Sequence, residues 1–374
     1  IENNGTKNQV VIGHIRMNTG TPEWVKVPTT QTDHISSCSA DATDLQVEIS
    51  DNINRKAIAV WSCDNNVYKL EYDGSNWDSA QTQLNSGNSH TPRVAISSTG
   101  TAFIVWIEGN DLNYQYYNGS NWQSTASLYN GSGVNYPAIT TNTNGYYACA
   151  FLDSSGTISG SIFDTSSWTT PAVAVTLANA GYPRLTMNNN INNNAVITVR
   201  GNGGAGNLVY KSHWTGAAWE NPILQFHTAP NMNYPYIGID DSGNATLIWA
   251  DGSNGTVSNC RFFYTQANST TCTFEALNNN LDHNVTISRV TMDNSGNIHA
   301  IWQQNDGVGG NEAIFMATYN SSWSIPATFA DKISPDGGHA INPQIDVSGN
   351  GTYGAAVWIQ EDSSGNYQVF LSRF

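Results

Sequence analysis

Charge is what this sequence has least of. Only 11% of its 374 residues are charged, well under the roughly 25% usual for soluble domains. Lys and Arg number 14 against 29 Asp and Glu, a formal net charge of −15. That shortage argues against nucleic acid as a partner, because neutralising a phosphate backbone takes clustered basic side chains. Long apolar runs are missing too. None reaches the ~18–20 residues of a membrane-spanning helix, so no transmembrane segment is expected. Apolar spacing of 3.6 residues is absent, which removes helices from the expected architecture. The five cysteines show no Cys-x-x-Cys and no Cys/His spacing suited to zinc.

What is present is polar but uncharged: 47 Asn, with much Ser, Thr and Gly. The chain opens Ile1-Glu2-Asn3-Asn4, with neither a starting Met nor a signal peptide, and reads as a mature or trimmed end. Together with the scarce Lys, this composition suggests export, so a secreted or cell-surface location is the expectation.

Internal similarity is the strongest signal. The stretch Thr91–Trp106 aligns with Tyr234–Trp249: an alternating strand, a Gly turn, then an apolar strand ending in Trp. The unit recurs with Trp61, Trp106, Phe151, Val199, Trp249, Trp302 and Trp358 closing the second strand, at spacings of 45, 45, 48, 50, 53 and 56 residues. A third strand follows, and a fourth is expected to begin at a second aromatic: Trp77, Trp122, Trp168, Trp219, Phe274 and Trp323. Four short strands per ~40–50 residues is the signature of a β-propeller blade. The expectation is an all-β chain forming one domain over residues 1–374, a seven-bladed β-propeller with four-stranded blades. Seven units occupy residues 44–374, and the last supplies only three strands. Residues 1–28, with the strand Glu23–Val27, are expected to share that blade and close the ring, hiding its edges. Val10–Met17 is then a spare strand, available for self-assembly.

Both aromatic series read as packing between blades. Trp214 falls outside both registers, which makes it the candidate surface aromatic. Cys260 and Cys272 flank one hairpin and are expected to be bonded. Cys38 and Cys63 are a second expected pair, and Cys149 reads as a buried free thiol.

The first strand of each blade should line the central channel. It opens with Gln46, Arg93, Ala138, Arg184, Tyr236, Arg289 and Gln344 in turn. Just before these stand Thr91, Tyr136, Tyr182, Tyr234 and Asn342, most followed by a stiffening Pro, with His90 and His339 nearby. Arg offers forked donors and Tyr a ring and a hydroxyl, so Arg93, Arg184, Arg289, Tyr136, Tyr182, Tyr234, Tyr236, Gln46 and Gln344 form the candidate site for an anionic or hydroxyl-rich ligand. The alternative is that these Arg pair with acidic neighbours. Loops between second and third strands carry Asp64, Glu108, Asp111, Asp153, Asp251, Asp306, Glu361 and Asp362. Their oxygens suit Ca²⁺, but no loop has the density of a dedicated site, so no metal or other cofactor is expected.

The segments Ile239-Asp-Asp-Ser-Gly-Asn-Ala-Thr-Leu-Ile-Trp249 and Met292-Asp-Asn-Ser-Gly-Asn-Ile-His-Ala-Ile-Trp302 resemble the degenerate propeller repeats of exported bacterial proteins in the broad sialidase-like group. The resemblance covers nearly the whole chain and implies the fold. For activity it implies an arginine triad, which Arg93, Arg184 and Arg289 could imitate. Against that, the Phe-Arg-Ile-Pro motif and true Asp-boxes are absent, and no carboxylate pair of a glycosidase can be nominated. The expected role is therefore non-catalytic recognition of a glycan or a protein surface. A sialidase-like hydrolase is the first alternative and a structural subunit of a surface assembly the second.

Overall fold

The computed structural model describes residues 2–3, 8–9, 14–16, 23–26, 43–50, 57–73, 77–85, 87–131, 133–177, 180–189, 195–202, 207–220, 223–226, 232–251, 256–263, 273–278, 285–306, 310–334, 336, 338–347, 354–361 and 367–373. Among the described residues the chain is all-β apart from one short 3-10 turn, Phe329–Asp331. No helix among the described residues is long and apolar enough to cross a membrane. The chain divides into two compact units, Ile1–Ile139 and Thr140–Phe374.

The repeat read in the sequence appears as antiparallel sheets whose strands follow chain order. Sheet 1 comprises Thr43–Ile49, Ala57–Cys63, Asn66–Tyr72 and Thr82–Gln83, and sheet 2 comprises Ser89–Ile96, Ala102–Glu108, Asp111–Tyr117 and Ala126–Tyr129. Sheets 3 to 6 repeat the plan. Their first strands are Asn135–Thr141, Gly181–Met187, Met232–Ile239 and Val285–Met292. Sheet 7 has three strands, Ala340–Val347, Gly354–Glu361 and Tyr367–Arg373. Near the N-terminus His14–Arg16 pairs with Glu23–Lys26 as a separate two-stranded sheet. The rest of the expected strand Val10–Met17 lies outside the described residues.

Second strands are covered on both faces, which is why they read as continuous apolar runs rather than alternations. Ala57–Cys63 is buried throughout. Trp61, Trp106, Phe151, Val199, Trp249, Trp302 and Trp358 are all at most 3% exposed, so this series is core. The indoles keep a donor that burial must satisfy. Trp106 Nε1 donates to Glu108 (3.3 Å), Trp302 Nε1 to Gln304 (2.9 Å) and Trp358 Nε1 to Gln360 (3.1 Å), each two residues on. Sheet 1 has Cys63 at that place, and Trp61 Nε1 has no hydrogen-bond partner.

The second aromatic series needs two corrections. In sheets 1 to 4 the aromatic does not open the fourth strand but closes a tight turn before it, bridging to the end of the third: Tyr72 with Trp77, Tyr117 with Trp122, Phe163 with Trp168, and Trp214 with Trp219. The ring centroids are 5.3–5.6 Å apart in these four pairs. Trp214 is thus not a surface aromatic. It is 6% exposed and belongs to a third aromatic register, at the end of the third strand. The reach of these Trp residues is between sheets. Trp122 donates to Glu71 of sheet 1 at 2.6 Å, and Lys69 lies 4.3 Å above its ring. Trp219 lies so close to Gly160 of sheet 3 that a Cβ there would come within 2.5 Å of the ring.

The motif Asp-x-Ser-Gly-Asn also has a folding role. Asp240 accepts from the Ser242 and Asn244 backbone N–H (2.9 and 2.8 Å) and from Asn244 Nδ2 (2.7 Å), and Asp293 does the same for Ser295 and Asn297. Equivalent turns are linked one to the next: Asn142 Nδ2 donates to Asn188 O and Asn188 Nδ2 to Asp240 O. Ser50 Oγ donates likewise to Ser97 O in the first unit. The motif specifies turn closure and sheet-to-sheet registry.

Candidate functional site

Each first strand is broken near its start, and the break aims the candidate residues. Asp44, Thr91, Tyr136, Tyr182 and Asn342 all have φ between 49° and 55°. Left-handed backbone costs a non-glycine residue about 1–2 kcal/mol, and a following proline restricts the residue further. Four of the five nevertheless precede Pro. The strain accompanies a β-bulge. In sheet 2 Arg93 pairs with Val105 and His90 with Ile107, so Thr91 and Pro92 together face one residue, Trp106. The same two-against-one step occurs at Trp61, Val199, Trp249 and Trp358. In sheet 6 the irregularity falls one residue earlier, between Val285 and Ile287. A bulge re-aims the side chain that follows it, and here that is Gln46, Arg93, Arg184, Tyr236 or Gln344.

In the second unit these side chains form a row. The Arg184 guanidinium lies 4.7 Å and the Arg289 guanidinium 4.1 Å from the Tyr236 ring centroid, so one ring serves two cations from neighbouring sheets. Arg289 Nε donates to Gln344 Oε1 of sheet 7 at 3.3 Å. Both guanidiniums are steadied by the preceding carbonyl: Arg184 by Pro183 O (3.1 Å) and Arg289 by Ser288 O (2.9 Å). Arg184 has no ion-pair partner among the described residues, and its buried Nε has no hydrogen-bond partner. One member was missed in the sequence. Arg200 lies 5.1 Å from the Tyr182 ring centroid, two residues beyond Thr198, the cross-strand partner of Arg184. It stands on a second strand, where the search for equivalent first-strand positions did not look.

The other candidates fare differently. In the first unit Gln46 is consumed by structure. Its Oε1 accepts from Val94 N (3.1 Å) and its Nε2 donates to Val94 O (3.2 Å) and Glu48 (2.9 Å). Arg93 NH1 donates to Pro92 O at 2.7 Å, as its counterparts do. Tyr136 is 39% exposed. The side chain of Tyr234 lies outside the described residues, as do Cys38, Cys272 and the side chain of Cys260. Cys63 is disulfide-bonded, with its partner outside the described residues. Cys149 is a buried free thiol, and burial raises its pKa.

The acidic loops are engaged locally. Asp153 caps its own turn through Ser155 and Thr157, and Glu108 accepts from Trp106 and Asn113. Asp306 pairs with Lys332 at 3.3 Å. No group of three or more His, Cys, Asp or Glu among the described residues is placed to hold a metal ion. One carboxyl stands apart. Glu312 has a buried Oε2 without a hydrogen-bond partner, and burial raises its proton affinity. His339 Nδ1 accepts from the Glu312 backbone N–H at 3.3 Å, and Gln303 Oε1 accepts from that of Asn342 at 3.0 Å.

No protein-family model matches the chain, and no curated protein matches it in sequence. Similarity appears among solved structures. The polysaccharide lyase Uly1 superposes with a TM-score of 0.55 at 9% identity, over 87% of this chain and 88% of that one. Aleuria aurantia lectin, a fungal lectin with a six-bladed β-propeller fold that recognises fucose, gives 0.44 at 13% identity over 76% and 95%. The α-L-arabinofuranosidase of Fusarium graminearum gives 0.47 at 10% identity over 76% and 92%. The last two likenesses are too slight to argue from, and at such identities the first shows a shared fold alone.

Proposed function

We propose that this chain is a glycan-recognition protein of the β-propeller type, whose seven sheets are blades of one ring closed by its terminal strands. The ligand is an acidic saccharide, held at the Arg184–Tyr236–Arg289–Gln344 row. One observation carries the reading: two guanidiniums from separate sheets flank a single Tyr ring, and one of them keeps a buried, unpartnered N–H. Guanidinium donors held by the shared ring suit carboxylate or sulfate oxygens. Strained residues ahead of the row agree with a binding site, since such strain gathers where side chains must be aimed. The fold likeness to a polysaccharide lyase is in keeping with a carbohydrate ligand. Secretion or display at a bacterial surface, a Cys38–Cys63 and a Cys260–Cys272 bridge, and self-assembly through the N-terminal strands belong to the same proposal.

A second reading has its own observation. Glu312, with its raised proton affinity, stands beside His339 on the hairpin of sheet 6 that meets the entry to sheet 7. A buried carboxyl whose hold on its proton is strengthened by burial is a general-acid candidate, which would make the protein a glycan-cleaving enzyme. A glycan array run beside a panel of acidic polysaccharide substrates decides between them. Binding without turnover supports recognition, and turnover lost in Glu312→Gln supports catalysis.

A further inference from the structure

We infer that the first unit carries a second ligand site, independent of the arginine row, that takes a neutral, hydroxyl-rich ligand of about one sugar ring. A cavity of about 650 Å³ opens where the hairpin of sheet 1 meets the first strand of sheet 2. That volume lies within the ~300–1,000 Å³ of small-molecule sites. Its wall is Thr43, Ser62, Asp64, Asn65, Ser89 and His90, with Cys63 between them. The chemistry of this wall selects the ligand class. It contains a carboxylate and neither Lys nor Arg, which disfavours an anion. Six of its seven residues are hydroxyl, amide, imidazole or carboxylate bearers, which disfavours an apolar guest. A single carboxylate is a poor cage for Ca²⁺, which takes six to eight oxygens. A neutral polyol, offering donors and acceptors together, is what remains.

Ser62 supplies an independent indication. It is only 5% exposed, yet its Oγ is buried without a hydrogen-bond partner. Buried hydroxyls are normally satisfied, and Ser62 is a wall residue of the cavity together with its cross-strand partner Thr43. The surrounding wall is held in place. Asp64 and Asn65 form a tight hairpin turn with φ of 52° and 59°, the backbone of a two-residue connection. Asn66 Nδ2 donates to Asp64 O (2.9 Å), Ser89 N donates to Asn65 O (2.9 Å), and His90 Nδ1 lies 3.0 Å from Thr91 Oγ1. Such fixed donors and acceptors save the ordering cost of binding.

The test is ligand-observed saturation-transfer NMR with D-glucose, D-galactose, D-mannose and D-xylose, on wild type, Ser62→Ala, Asp64→Asn and Arg289→Ala. At least one sugar is expected to bind with millimolar-class affinity, about three- to tenfold weaker in Ser62→Ala, the worth of one neutral hydrogen bond. Asp64→Asn keeps a residue that tolerates the left-handed turn and should also weaken binding, while Arg289→Ala should leave it unchanged. Thermal melts of Ser62→Ala should match wild type. The inference is overturned if no sugar binds, if Ser62→Ala and Asp64→Asn bind as wild type does, or if Ser62→Ala melts several degrees lower, which would make the hydroxyl structural. Failure here leaves the arginine row standing, because these neutral sugars do not probe a site for acidic saccharides.

Discussion

Lys211 offers a sharp test of how this all-β core is balanced. It is fully buried in the third strand of sheet 4, Asn207–His213, at the register where sheet 1 has Lys69 and sheet 3 has Gly160. Burial drives its pKa from 10.5 down to about 8, and attraction to Glu220 opposes that only in part. That displacement corresponds to roughly 3 kcal/mol between the charged and neutral forms. Because the folded-state value is the lower one, the penalty is fully present below about pH 8, where both states are protonated. Between about 8 and 10.5 the unfolded chain holds the proton and the fold does not, so stability rises with pH. Lys211→Met keeps the length and removes the charge. It is expected to stabilise the protein by about 2–3 kcal/mol at pH 7 and by progressively less toward pH 10. Denaturant melts of both proteins across that range give the difference directly, which cancels the other groups that titrate there. A pH-independent difference would refute the reasoning, and so would destabilisation by Lys211→Met at pH 7, which would mean the buried ammonium is net favourable.

Two further substitutions test the packing between sheets and the Trp donors. Gly160→Ala puts a Cβ within 2.5 Å of the Trp219 ring, and overpacking of this kind should cost about 1–3 kcal/mol in a thermal melt. Gln304→Leu removes the acceptor of the buried Trp302 indole and should cost about 1–3 kcal/mol. The equivalent acceptor is already missing in sheet 1, where Cys63 stands two residues beyond Trp61.

Much of the fold was legible because the repeat states it many times. Doubly covered second strands read as apolar runs, and Gly turns separate them. The third-strand aromatics were not legible. Tyr72, Tyr117, Phe163, Trp214 and Tyr319 are chemically varied, and only strand pairing shows that they occupy one register, which is why Trp214 looked like a stray surface residue. The site was half legible. Equivalent positions singled out Arg184, Tyr236, Arg289 and Gln344, but sequence could not show that one ring would serve two guanidiniums. Nor could it show that Gln46 would spend its amide on the backbone of Val94. Arg200 reaches Tyr182 from a different strand, and no periodicity links the two. Proline marked the entry to the strand, but the bulge and its left-handed residue were hidden, because Tyr and Thr carry no sign of a positive φ as Gly does.

The central claim is that the Arg184–Tyr236–Arg289 row holds an acidic saccharide. Its most direct test is calorimetric titration with polygalacturonate, with neutral dextran as control, on wild type, Arg184→Ala and Arg289→Ala, paired with thermal melts. The account expects polygalacturonate to bind the wild type and dextran not to bind at the row. Each Arg variant should lose about ten- to a hundredfold in affinity, the worth of a charged hydrogen bond at about 1.5–3 kcal/mol, with little change in melting temperature. Equal polygalacturonate affinity in all three proteins, with both variants melting lower, would contradict it and reduce the row to a brace between sheets.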